Sequence, residues 1–337
     1  MKTQKSLQSL IQSFFMDHLA VHRGVSENTI KAYRDVIKLF LRHVAGAGAK
    51  KVTSIEPHDL TVEVVLEFLK EIESCRKNSA VTRNHRLAAL RTLFSYLATQ
   101  DPIHLGRYQK IMLVPFKRAP KPMMGYLEVD EVKAVLNAVD RLTQKGRRDY
   151  ALLYLLYNTG ARVQEVCDLT VGSLRLLSPP LVTIHGKGKK VRQVPLWPET
   201  KTVLNGYLSE NNLQENENSI LFSNHRGDPI GRFGVRYIVR KYVRVAAASG
   251  CKKIGSKKVG PHTFRHSTAM HLLQSGVDLT VIRSWLGHVD ISTTHGYVEV
   301  DMDMKRRALE KCRPGNRGSL GKFLKKNEDV IGWLESL

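Results

Sequence analysis

Two stretches in the last third of the chain decide its reading: P-H-T-F-R-H (261–266) and L-G-H-V-D-I-S-T-T-H-G-Y (286–297). The first places His262 and Arg265 three residues apart, so on a helix they share a face. Phe264 then lies about 200° round from His262 and can face a core. The second stretch supplies His288 and, nine residues on, Tyr297. A third string, T-G-A-R-V-Q-E (159–165), contributes Arg162, 100 residues before His262. Each type suits handling a phosphodiester. Two guanidiniums hold non-bridging oxygens, two imidazoles move or share protons, and a phenol attacks phosphorus. No metal-ligand cluster accompanies them, so the set points to metal-free strand cleavage through a phosphotyrosine.

Composition sets the frame. A chain of 337 residues is long enough for two domains, each with its own core. Hydrophobic residues make up 42% and aromatics 7%. No apolar run approaches the roughly 18 residues that span a bilayer. The start, M-K-T-Q-K-S-L-Q-S-L-I-Q-S-F-F, lacks the long apolar region and small-residue cleavage site of a signal peptide. Cys75, Cys167, Cys251 and Cys312 lie far apart with no C-x-x-C pair. Reduced, structurally indifferent thiols in a cytosolic protein are the expectation. Lys and Arg number 53 against 31 acidic residues, a formal charge of +22. That excess recurs along the whole chain and points to a polyanion, with nucleic acid the first candidate.

The fold class expected is mainly α with a small antiparallel β-sheet. Residues from about 5 to 100 read as helical. Ser26 is a candidate N-cap, and Ile30, Tyr33, Ile37, Phe40, Leu41 and Val44 follow at helical spacing. Leu60 to Ile72 reads as a further helix. So does Ser79 to Ala98, with Leu87, Leu90, Phe94 and Leu97 on one side and Arg83, Arg86 and Arg91 on the other. The stretch V-P-F-K-R-A-P-K-P-M-M-G (114–125) has three prolines, three positive charges including Lys117 and Arg118, and no periodicity, so it reads as a linker. Beyond it, Glu128 to Leu142 and Asp149 to Tyr157 read as helices. Two strands, 181–185 and 192–196, flank a turn that carries Lys187, Lys189 and Lys190. Further helices are expected at 199–209, 232–248, 263–275, 278–286 and 291–297. The 232–248 helix repeats Arg232, Arg236, Arg240 and Arg244.

In order, T-G-x-R-x-x-E, a lysine in a β-turn, H-x-x-R, L-G-H and the tyrosine form one pattern. It resembles the tyrosine recombinase or phage-integrase family, particularly the bacterial branch of chromosome-dimer resolvases and transposon integrases. The resemblance covers the second domain, and the helical basic first domain is similar to that family's core-binding half. It implies a SAM-like core-binding domain over 1–110, a linker over 111–125, a catalytic domain over 126–312 and a tail over 313–337, the two domains forming a C-shaped clamp on DNA. It also implies a site-specific recombinase that needs no cofactor, metal or ATP and works through a 3′-phosphotyrosine, in integration, excision or transposition of a mobile element. Arg162 and Arg265 match the arginines that bind the scissile phosphate, and Tyr297 matches the nucleophile. His262 matches an acceptor of the tyrosine proton, and His288 a hydrogen-bond partner of the phosphate. Lys187 matches the proton donor to the leaving oxygen, with Lys189 a rival, and Glu165 matches a supporting acidic position. The implied partner is double-stranded DNA with inverted half-sites, held by a homo- or hetero-tetramer in the cytoplasm, associated with the nucleoid. Arg83, Arg86, Arg91, Lys117, Arg118, Lys189, Arg232, Arg236, Arg240 and Arg244 are the candidate DNA contacts. The apolar end of the tail is expected to dock on a neighbouring protomer or back on its own domain. Two other functions share the features: a type IB topoisomerase-like enzyme that relaxes DNA without exchange, and a DNA-binding subunit that does not cleave.

Overall fold

A computed structural model describes residues 6–119, 125–186, 188, 190–213 and 217–287. The chain divides into two compact units, which part between Lys121 and Pro122.

The first unit is built from α1 (Leu7–Ser13), α2 (Glu27–Ala47), α3 (Val62–Ser74), α4 (Ala80–Gln100) and α5 (Leu105–Met112). A π-helical stretch, Phe14–His22, follows α1. Its i→i+5 winding brings Phe14 and Leu19, five residues apart, into the core together. Ser26 caps α2 by accepting from Thr29 N, and Thr61 and Ser79 do the same for α3 and α4. The helices close on an aromatic centre. Phe40 sits edge-on to Phe68 at 5.4 Å and to Phe94 at 6.0 Å between ring centroids. Packing runs further along the chain than the reading of a linker from 111 implies. α5 ends at Met112, and Tyr108, Ile111 and Val114 are all buried.

The second unit starts with α6 (Val129–Asn137), α7 (Gln144–Thr159) and α8 (Val163–Cys167). A three-stranded antiparallel sheet follows, in the order β1 (Leu174–Arg175), β2 (Leu181–His185), β3 (Val191–Pro195). β2 and β3 pair from Leu181 with Pro195 to His185 with Val191, and Gly186 N donates to Lys190 O at 2.7 Å to close the hairpin. α9 (Pro198–Glu210), α10 (Arg232–Ala248), α11 (Lys252–Gly255), α12 (Pro261–Gln274) and α13 (Leu279–Leu286) complete the described chain. The expected two-strand hairpin is present; β1 and the short helices α8 and α11 carry too few residues for periodicity to register.

α6 stops at Asn137 instead of continuing to residue 142. The apolar spacing of Val132, Val135, Leu136 and Val139 carries on to Leu142, but Leu142 is 90% exposed. Asp140 instead builds a turn, accepting from Leu142 N and from Thr143 Oγ1. Thr143 then caps α7 by accepting from Gly146 N, so that helix begins five residues before the expected Asp149. The helix expected over 291–297 lies outside the described residues, as does the tail.

Candidate active site

α7 ends in a left-handed turn at Gly160, with φ 57° and ψ 25°. Two residues later Arg162 opens α8, which carries Glu165 on its first turn. α12 begins at Pro261, whose fixed φ suits a first helical turn. That helix places His262 and Arg265 on its first two turns, with Phe264 fully buried as the spacing predicts. α13 ends at Leu286, and Gly287 adopts the left-handed conformation that terminates it.

These segments converge. Arg265 is 4% exposed; its Nη1 donates to Gly160 O and its Nη2 to Leu286 O, each at 2.7 Å. Arg162 Nη2 donates to Gly287 O at 3.2 Å. Arg192, the second residue of β3, donates from Nε to Trp285 O at 2.9 Å. Three guanidiniums therefore occupy three consecutive carbonyls at the C-terminal end of α13, where a helix leaves acceptors unsatisfied and carries partial negative charge. His288 is the next residue in sequence.

Glu165 ties the set together. Its carboxylate accepts from Arg162 N at 2.8 Å, Arg162 Nη1 at 2.9 Å, and Arg192 Nη1 and Nη2 at 3.2 and 2.7 Å. Burial pushes this carboxyl up, but the Arg192 fork and the Arg162 backbone and guanidinium outweigh it, and the net shift is down. Glu165 is thus a buried anion held between two cations, not an exposed helix residue. His262 is shifted down by burial first and then by the Arg265 and Arg162 charges, so it stays neutral in neutral solution. A neutral imidazole beside two guanidiniums can accept a proton close to a bound phosphate. Among the described residues no cluster of His, Cys, Asp and Glu could hold a metal ion.

Lys187, Lys189, His288 and Tyr297 lie outside the described residues. Sequence reasoning missed two residues that shape the site. Arg192 stands singly in a strand, where no spacing marks it. Asn158 is fully buried and joins the end of α7 to the end of β3: its Nδ2 donates to Pro195 O, and its Oδ1 accepts from Trp197 N. The Asn158-Thr159-Gly160 string marks the helix end but not that role.

The candidate DNA contacts fall into two groups. On α10, Arg232, Arg236, Arg240 and Arg244 are exposed at four-residue spacing, while Val235, Val239 and Val243 are buried. With Lys257, Lys258 and His262 these arginines line a groove of about 940 Å³. In the first unit Arg83, Arg86 and Arg91 are half-buried instead of forming a freely solvated face. Arg83 pairs with Glu73, and Arg91 stacks over Phe116 with 4.5 Å between Cζ and the ring centroid. Lys117 is exposed but also pairs with Glu73, at 2.9 Å, and Asn84 brackets its backbone from both sides. Arg118 is exposed.

Similarity to known proteins follows the same outline. Residues 125–304 match the phage integrase family, and residues 12–101 match the phage integrase N-terminal SAM-like domain. A Sinorhizobium fredii protein named "Putative integrase/recombinase y4rC" is 34% identical over 337 residues, the full length of both chains. Tyrosine recombinase XerD of Listeria monocytogenes serotype 4b is 34% identical over 301 residues, covering 87% of this chain and 95% of its own. The XerH site-specific recombinase bound to palindromic difH substrate has the same fold, with a TM-score of 0.67 at 22% identity over 85% of this chain and 80% of that one. No helix among the described residues is long and apolar enough to cross a membrane. The ordered motifs, the architecture and these matches place the chain in the phage integrase family, the tyrosine recombinases that carry out site-specific recombination.

Proposed function

We propose that this chain cuts and rejoins DNA through a covalent 3′-phosphotyrosine at Tyr297, without metal, nucleotide or other cofactor, in the movement of a mobile element. The observation that carries the reading is the convergence of Arg162 and Arg265 on the end of α13, with a neutral His262 close enough for both of their charges to act on it. In the first half-reaction the Tyr297 oxygen attacks the scissile phosphorus and its proton passes to His262. The bond from phosphorus to the 5′ oxygen breaks. That oxygen takes a proton from Lys187, or from Lys189 on the same hairpin, and leaves as a hydroxyl. Arg162 and Arg265 hold the non-bridging oxygens as charge grows on them, and His288 adds a hydrogen bond. In the second half the 5′ hydroxyl of another strand attacks the phosphotyrosine. One phosphodiester is exchanged for another, so no external energy source is needed.

DNA lies along the basic helices on this reading. The α10 stripe lines the same groove as His262, and a major groove admits an α-helix. The substrate is double-stranded DNA with inverted half-sites, held by four protomers. Residues 1–110 bind the core of the site, 126–312 carry the chemistry and 313–337 link protomers.

Covalent trapping tests the proposal. Wild type and Tyr297→Phe are incubated in chelator with nicked duplexes carrying a site that the purified protein selects from random DNA. A protein–DNA adduct on denaturing gels with wild type alone is the expected result. Wild type that binds the site tightly yet leaves no adduct would refute cleavage and favour a non-cleaving DNA-binding subunit.

A further inference from the structure

We infer that Arg192 is a positioning residue for strand cleavage: it takes up half of the Glu165 carboxylate and anchors the last turn of α13, so that Arg162 keeps both its orientation and its net charge for the phosphate. This rests on the proposed assignment of Arg162 and Arg265 to the scissile phosphate.

The geometry separates the two arginines on Glu165. The Arg192 side chain is 10% exposed, and all three of its guanidinium nitrogens point inward, two to Glu165 and one to Trp285 O. The Arg162 side chain is 34% exposed and places one nitrogen on Glu165 and another on Gly287 O. Arg192 is therefore committed to protein partners, while Arg162 faces outward. Charge counting gives the consequence. Arg162, Glu165 and Arg192 together carry one net positive charge. Without Arg192 the buried carboxylate has a single cationic partner, Arg162, and that pair is neutral. A neutral pair attracts a phosphodiester far less, and bidentate closure of Arg162 on Glu165 would turn its fork away from the phosphate. Arg192 also spans two parts of the unit. It leaves β3 six residues after Gly186 and reaches the carbonyl two residues before Gly287. It thereby fixes the base of the lysine-bearing hairpin against the helix end that Arg162 and Arg265 use.

The test uses the full-length protein and the nicked duplex described above, with protein at saturating concentration, so that single-turnover adduct formation reports cleavage and not binding. Arg192→Gln should slow cleavage on the order of 10²-fold, the scale expected when a group at the reacting centre is displaced by about 1 Å. Its melting temperature should fall, because buried Glu165 loses a charge partner, so rates are compared well below the unfolding transition. The decisive arm is the double variant Arg192→Gln/Glu165→Gln. It restores the single net charge, and it should cleave faster than Arg192→Gln alone, which a purely structural role for Arg192 would not produce. Arg192→Lys keeps the charge without the fork and should fall between wild type and Arg192→Gln. A Lys variant at the wild-type rate overturns the positioning role even if the Gln variant fails to fold. So does a double variant no faster than the Arg192→Gln single. Absence of any adduct with wild type overturns the cleavage reading itself and this one with it, whereas a wild-type adduct with unchanged Arg192 variants overturns this one alone.

Discussion

Gly160→Ala probes the link between the end of α7 and the guanidinium cluster. Gly160 has φ 57°. A side chain in the left-handed region costs roughly 1–2 kcal/mol. A Cβ there would also lie 2.6 Å from Leu286 Cδ2 and 3.4 Å from Thr268 Cβ and Cγ2. Leu286 is fully buried and Thr268 is 2% exposed, so Leu286 must shift within a packed core. Overpacking of that kind costs about 1–3 kcal/mol. The sum is roughly 2–5 kcal/mol, a large part of the stability of an ordinary domain. The damage extends to the site, because Leu286 O and Gly160 O both accept from Arg265.

Urea unfolding of the full chain, followed by circular dichroism, measures the stability loss in the transition of the second unit. Adduct formation well below the unfolding midpoint measures the rate. Gly276→Ala is the control. Gly276 also has positive φ, 86°, but a Cβ there meets nothing within 4 Å. It should lose only the backbone part and keep its cleavage rate. Equal small losses in both variants, with cleavage unchanged in Gly160→Ala, would refute the argument that Gly160 is required by close approach to Leu286.

Two further outcomes follow from other contacts. Asp149 is fully buried and accepts from Arg148 Nη2 at 2.6 Å and from Tyr242 Oη at 3.0 Å, joining α7 to α10. Asp149→Asn leaves Arg148 without its charge partner and should cost about 3–5 kcal/mol in urea unfolding, against about 1–3 kcal/mol for Tyr242→Phe. Equal losses would count against the network. For His262, burial and then the Arg265 and Arg162 charges favour the neutral form. A proton acceptor must be unprotonated, so cleavage should persist as pH falls past the ordinary histidine range and fail only below it. Stability has the same sign, since the unfolded chain takes up that proton more readily and acid therefore favours unfolding. A His262-dependent limb at or above the ordinary range in the pH–rate profile would contradict this.

What could be read in the sequence was what repeats or caps locally. The four-residue spacing of Arg232, Arg236, Arg240 and Arg244 predicts an exposed stripe, and α10 shows it because the buried valines alternate with it on the same turns. The Asn158-Thr159-Gly160 string marks a helix end, and H-T-F-R predicts Phe264 inward and His262 beside Arg265. Periodicity misled at Leu142, where an apolar residue at the right spacing sits in a turn made by Asp140 and Thr143. It was silent for α5, whose eight residues include Gly106 and are held by the burial of Tyr108 and Ile111. The basic face of α4 was read correctly as a placement of arginines but not as their environment. Glu73 and Phe116, distant in sequence, decide how far Arg83 and Arg91 are exposed. Arg192 and Asn158 act only through partners that the fold brings to them.

The electrostatics of the site follow from the same tertiary facts. Three guanidiniums in one small volume repel, and burial of Arg265 at 4% exposure would be costly without compensation. Besides the Gly160 carbonyl that Arg265 also uses, two features supply it among the described residues. Glu165 contributes one full negative charge, and the C-terminal end of α13 contributes on the order of half a charge through the carbonyls of Trp285, Leu286 and Gly287. The net is on the order of +1.5. On the cleavage reading a phosphodiester arrives with one negative charge and approaches two as the phosphorane forms. A site left at an intermediate positive charge attracts the ground state moderately and the transition state more, which is the differential binding that raises a rate. Each compensating group is therefore as consequential as the arginines themselves. Removing Glu165 would tighten ground-state binding and strain the cluster, and removing Arg192 would leave too little charge for the transition state. That opposition is why the two substitutions should correct one another when combined.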